Sequence, residues 1–272
     1  MNRKYIFIAI LMLCFITLNV YLFSSAPVPL KVDLPKEKST YSIADAFRII
    51  ARVNSIARSL YTRNIVNTGL EVGLSFDENW QDNEIEAGPL PAQILRETSA
   101  FIEKSPLGLG LYLGSDFPIS APNLFKEMQA ENFQELRKDG KPKFFYDVSS
   151  KRYVGMFPDI AISGACVKCH NENKNSPKKD WVLNDIMGAT TWTYPGDSIN
   201  TKELKDMINV YLNGLDNTYK RYLEKVKTFK KIKVPSIGKM WPSQGYYLPD
   251  APEYADTIYK LTSYEIAKGL LK

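Results

Sequence analysis

Apolar residues fill positions 5–23 without a single charge, and only Thr17 and Asn19 interrupt them. A run of that length predicts a helix able to cross a bilayer. Pro27, Pro29 and Pro35 then alternate with Lys31, Lys36, Glu37 and Lys38, which reads as an extended spacer over 27–41. From Ser42 the pattern becomes helical. Ile43, Phe47, Ile50, Ala57 and Leu60 recur at helical steps behind a capping serine, with an end expected near Gly69. A loop rich in Asp and Glu follows. Gly88-Pro89-Leu90-Pro91 then opens a second helix that turns Ile94, Leu95, Thr98, Phe101 and Ile102 inward and stops at Ser105-Pro106.

The middle of the chain alternates between the two periods. Residues 108–113 predict a strand, and Pro122 starts a helix through Leu136 that Asp139-Gly140 terminates. Two aromatic and β-branched stretches, 143–148 and 152–157, form a hairpin around Ser149-Ser150, and 186–194 supplies a further strand that ends at Pro195-Gly196. A long helix is predicted over 201–231 from Leu204, Ile208, Tyr211, Leu215, Tyr219, Tyr222, Val226 and Phe229. That stripe either packs on its own domain or forms a homodimer seam through 201–231. A shorter amphipathic helix, 254–270, closes a tail that suggests no function. The pattern therefore predicts an α+β fold, an antiparallel sheet flanked by helices, with an N-terminal transmembrane helix and a long C-terminal helix. Its divisions are a membrane anchor or signal segment (1–26), a linker (27–41), a central domain (42–199), the long helix (200–234) and the tail (235–272).

Composition adjusts this picture in three places. Sixteen Tyr and thirteen Phe supply a core, and a net charge of +5 over 272 residues is too modest to argue nucleic-acid binding. Arg3 and Lys4 before the apolar run hold its start inside, so the address expected is the bacterial inner membrane, single-pass, with the bulk of the chain in the periplasm. Ser24-Ser25-Ala26 resembles a signal-peptidase site, but Pro27 disfavours cleavage and an uncleaved anchor is expected. Cys14 lies within the apolar run and reads as an apolar side chain.

The candidate chemistry is concentrated in five residues, Cys166-Val167-Lys168-Cys169-His170, which spell the C-x-x-C-H signature of covalent c-type haem attachment. Two thiols on one turn add to the two vinyl groups, and the adjacent imidazole becomes the proximal iron ligand. A zinc site or a redox dithiol also uses C-x-x-C. Zinc wants four ligands, however, and a dithiol leaves the histidine unexplained. One haem c is thus the expected cofactor, held by Cys166, Cys169 and His170.

His170 is the single histidine of the chain, so no second imidazole reaches the iron. Met156 is the first candidate for a sixth ligand, followed by Met128 and Met187, while an open or water-held position is the leading expectation. Phe144, Tyr146, Tyr153, Phe157 and Trp181 are candidate haem walls, and Arg152, Lys178 and Lys179 are candidates for the propionates. Peroxidase chemistry usually needs a distal acid–base group and the chain has no second histidine, so a peroxidase-like side activity ranks behind the other readings, and no catalytic residue and no enzyme are expected.

Several words extend beyond the motif: Gly88-Pro89-Leu90-Pro91, Asp116-Phe117-Pro118, Asn123 ahead of a helix, Cys166-Val167-Lys168-Cys169-His170-Asn171, and Ser176-Pro177-Lys178-Lys179-Asp180-Trp181 running to Asp185-Ile186-Met187-Gly188. With them the chain resembles a bacterial family of extracytoplasmic c-type haem domains with a PAS-like fold, the cyanobacterial Tll-type haem domains. The resemblance is good over 88–196 and weaker back to Ala44. It implies a redox or small-gas sensor module that passes its signal to another protein, with a tethered monohaem electron-transfer cytochrome as the alternative. The partner implied is a signalling or redox protein. The resembled sensor takes a cysteine from its N-terminal helical part as sixth ligand. Between Ser39 and Gly69 this chain has no Cys, His or Met, so that ligand does not carry over.

Overall fold

The computed structural model describes residues 3–25, 38–230, 235–243 and 245–271. Most of the expected spacer, and residue 231 of the predicted 201–231 helix, lie outside them; that helix ends at Val226. The chain divides into two units, Met1–Lys36 and Glu37–Lys272. In the first, the uncharged run forms helix α1 (Arg3–Ser24), none of whose residues is buried. It is long and apolar enough to cross a membrane.

The second unit is built on short caps and one sheet. Strand β1 (Thr40–Ser42) leads into α2 (Ile43–Leu60), where the Ser42 hydroxyl accepts from the Asp45 amide as the sequence predicts. The expected helix to Gly69 continues, but as a π-helical segment (Tyr61–Asn67) followed by α3 (Thr68–Glu71). The wider π turn leaves Tyr61, Thr62, Ile65 and Val66 all buried, and the Tyr61 hydroxyl donates to the Pro89 carbonyl at 2.6 Å. β2 (Phe76–Asp77) pairs in parallel with β3 (Gly88–Pro89), and α4 (Pro91–Glu103) begins with Pro91 in its first turn.

β4 (Gly110–Gly114) comes next, but the helix expected from Pro122 starts later. A 3₁₀ turn (Ala121–Asn123) precedes an extended stretch in which the Ser115 carbonyl accepts from the Phe125 amide. That bridge buries Phe125 against Phe133, and tertiary packing so delays α5 to Glu127–Asp139. Gly140 ends it at φ 67°, the left-handed conformation that glycine tolerates. The hairpin follows as β5 (Lys143–Asp147) and β6 (Arg152–Ile160), then α6 (Gly164–Glu172), β7 (Ile186–Tyr194), β8 (Ser198–Asn200), α7 (Thr201–Val226) and α8 (Ala251–Leu270).

Four strands form an antiparallel sheet in the order β4-β7-β6-β5, and a second small pair joins β1 to β8. The α+β class expected from the pattern is the one observed. Strand alternation sends β6 and β7 side chains to two different cores. Val154, Met156 and Ala189 pack with Phe125, Phe133 and Leu136 under α5. On the opposite face Tyr153, Phe157 and Trp192 join α2, α4 and α7 in the main core.

The long helix and the tail belong to that main core. The α7 stripe, Leu204, Ile208, Tyr211, Leu215, Tyr219, Tyr222 and Val226, is buried within the chain, so those side chains are not offered to a second copy. The Tyr211 hydroxyl donates to Asn54 on α2 at 2.9 Å, and Tyr254 of α8 stacks on Tyr219 at 3.9 Å. Near the other end of α8 the Leu270 carbonyl accepts from the Tyr41 hydroxyl and the Lys38 amide. The tail, for which the sequence suggested no function, closes the start of the domain.

Candidate functional site

The residues of the C-x-x-C-H motif lie on α6, a nine-residue helix rather than the bare turn the sequence suggested. Cys166, Cys169 and His170 stand three and four residues apart, the spacing that places side chains on one helix face. None of the three is fully buried. Ala161, Trp181 and Met187 form a small cluster beneath the helix, and Phe117, Cys166 and Val167 pack against it.

Asn171, next to the motif, fastens the helix in place. Its side-chain amide donates to the Trp181 carbonyl and its side-chain oxygen accepts from the Trp181 amide, both at 2.9 Å. That clamp sets Trp181 edge-on to His170, with ring centroids 6.3 Å apart and planes at 87°, and Phe117 meets the indole from another side. Two hydrogen bonds of this length, both amide to amide, are worth about 1–3 kcal/mol together. Asn171→Ala is therefore expected to lower the unfolding free energy by about 1–3 kcal/mol and to loosen the His170 environment. Chemical denaturation followed by tryptophan fluorescence measures both.

Electrostatics favour neutral donors at this site. Burial pushes the His170 imidazole below its ordinary pKa, against a weaker opposing pull from Asp159. Its Nδ1 is buried without a hydrogen-bond partner among the described residues. Burial also raises the Cys169 thiol, helped by the negative charges of Glu78, Asp77 and Glu172. A redox-active thiol is shifted the other way. Both motif cysteines are free thiols. No three His, Cys, Asp or Glu side chains among the described residues converge as an ion-binding set.

These observations fit a covalently held haem. Thioether formation needs two reduced, adjacent thiols, and iron ligation needs an unprotonated imidazole nitrogen. An imidazole kept neutral by burial meets the second need, and its buried Nδ1 is left without a partner among the described residues. Leaving that nitrogen unpaired costs about 1–3 kcal/mol, a burden of the kind that functional sites carry.

Other sequence candidates fall elsewhere. Met156 is fully buried in the cluster under α5 and is not brought together with Cys166, Cys169 and His170. It packs there with Val154 and Ala189, under Phe125, Phe133 and Leu136. Met187 is the methionine that packs in the motif cluster, and Met128 lies in the first turn of α5. Trp181 stands at the motif as expected. Phe144, Tyr153 and Phe157 pack instead against the main core, and Tyr146 rests on Tyr153.

Arg152 opens β6, about 23 Å along the strand from Asp159 at roughly 3.3 Å per residue. It is tied to Gly108 and Thr193. Lys178 pairs with Asp180 and lies over the Trp181 ring at 4.7 Å, and Lys179 is exposed.

Arg58 and Asp159 were not legible as site residues. Arg58 Nη1 donates to Asp159 Oδ1 at 2.8 Å and to Thr190 Oγ1 at 3.1 Å, tying the last turn of α2 to β6 and β7. Burial alone would lower its pKa, but the Asp159 carboxylate more than offsets this and holds it above the usual value. Only their meeting across about a hundred residues of sequence gives the pair meaning, and Phe117 likewise gains its role from packing.

A family model described as Tll0287-like matches residues 37–195, more than half of the chain. No curated protein and no solved structure matches it.

Proposed function

The chain belongs to the Tll0287-like family, and from that premise we propose that it is a membrane-anchored, extracytoplasmic c-type haem protein serving as a redox or small-gas sensor module. The observation that carries this reading is the single face of α6, which presents two free thiols and a neutral imidazole with a buried, unpartnered nitrogen. Cys166 and Cys169 would hold one haem c, and His170 would be its proximal ligand. When bound, haem supplies an iron that changes oxidation state and exchanges a ligand. Trp181 orients the imidazole from its edge, and Asn171 holds Trp181.

The four-stranded antiparallel sheet with helices on both faces supports a PAS-like fold. Helix α1, which begins with Arg3 and Lys4, supports a single-pass bacterial inner-membrane anchor with the haem domain in the periplasm. A signalling or redox protein would receive the output. No enzymatic role is proposed.

A tethered electron-transfer cytochrome is the competing reading. Met187, packed in the motif cluster, is the side chain that would favour it, because methionine ligation raises the potential and closes the iron. Carbon monoxide titration of the reduced full-length protein separates the two. The sensor reading expects ready binding with a sharpened, shifted Soret band. A protein inert to carbon monoxide, with methionine-to-iron absorption near the red end when oxidised, would instead be the electron carrier.

A further inference from the structure

The last turn of α2 brings an arginine to the end of the β6–β7 ladder, where the motif helix also sits. Arg58 is anchored through one nitrogen only, Nη1, by Asp159 and Thr190. Its Nε is buried and has no partner among the described residues. Two residues after Asp159, Ala161 packs with Trp181 and Met187 against Cys166 and Val167. Asp159 acts electrostatically on both Arg58 and His170, and Cys166 acts on Arg58. The guanidinium is thus buried at the strand end from which the chain runs on to the motif helix.

A guanidinium has no lone pair to give a metal and stays protonated, so it cannot ligate iron. It is instead a strong donor to anions, and a buried donor left unpaired is costly. We propose that Arg58 is the ligand-recognition residue of the site, using the guanidinium edge left open by Asp159 and Thr190 to bind a small anion that the iron of a haem held there would coordinate. Asp159 and Thr190 act as positioning residues that fix the direction of the fork.

This inference rests on the haem reading above and extends it to a ligand class, small anions on ferric iron. Azide displacing water is the probe. The full-length oxidised protein is titrated with sodium azide and, separately, with neutral imidazole, after in-gel haem staining has established attachment. Arg58→Leu is expected to weaken azide binding by about 10- to 100-fold, the scale of a hydrogen bond to a charged group. Imidazole affinity should stay within about twofold, and Arg58→Lys should recover part of the azide affinity through its retained charge.

Arg58→Leu strands the Asp159 carboxylate and can destabilise the domain, so Arg58→Leu/Asp159→Asn, which removes both charges, is measured alongside. It is expected to show the same azide loss with a native melting transition. Equal azide affinity in wild type and double variant overturns the proposal, as does a parallel loss for imidazole. Absence of haem stain in the wild type would instead remove the reading on which the proposal rests.

Discussion

Replacing Cys166 and Cys169 together by alanine is expected to abolish covalent haem altogether. Each thioether is a bond between one thiol and one vinyl group, and no other cysteine among the described residues of the second unit can substitute, since the third, Cys14, lies in α1. The protein itself should survive the change. Neither side chain is fully buried, and the cluster beneath them is built on Ala161, Trp181 and Met187. Truncating half-buried side chains of this size falls at the low end of the usual range, about 0.5–3 kcal/mol. Expression of wild type and variant beside a c-type maturation system, followed by haem staining of a denaturing gel and circular dichroism, reads both outcomes. Stain lost with the fold retained is the expected pair. Stain retained in the variant would place the attachment elsewhere.

The largest loss of stability is expected for Trp192→Ala. Trp192 is 0 % exposed, on the β7 face that meets α7 and α2, with its ring 5.7 Å from that of Tyr211. Truncating a buried tryptophan costs about 3–5 kcal/mol. A domain typically holds about 5–15 kcal/mol in total, so this one change removes about a fifth of it or more. Urea unfolding should show a lower midpoint with little change in slope. Tyr211→Ala and the double variant complete a cycle, in which a coupling of about 0.5–1.5 kcal/mol is expected for the edge-to-face pair. Independent effects would mean that α7 does not share the core of the sheet, and its tyrosine stripe would then be free for another partner.

What the chain made legible follows from how local each signal is. The Ser42 cap, the strand 186–194, the Asp139-Gly140 stop and the tail helix depend on side chains within a few residues of one another, and all stand where the pattern placed them or within a few residues of it. The π segment after Leu60 and the delayed start of α5 were not legible. The first depends on burying Tyr61 against the Pro89 carbonyl, the second on Ser115 reaching Phe125, and both partners are distant in sequence.

The candidate site divides in the same way. C-x-x-C-H is a contiguous word and could be read directly. Met156 was offered as a ligand from its nearness along the chain, but the parity of β6 sends it under α5. Arg58 carried no signal of its own. A guanidinium at the end of an amphipathic helix looks solvated until Asp159 and Thr190 are seen to hold it.

The central claim is that this domain carries haem through α6, and the most direct test is the alkaline pyridine spectrum of the purified full-length protein after denaturation and organic extraction. The account predicts one haem per chain that stays with the protein and gives the bands of a porphyrin whose two vinyl groups are both saturated by thioether links. Haem that extracts fully into the organic phase, or a protein matured in the presence of the attachment machinery that contains none, would contradict it.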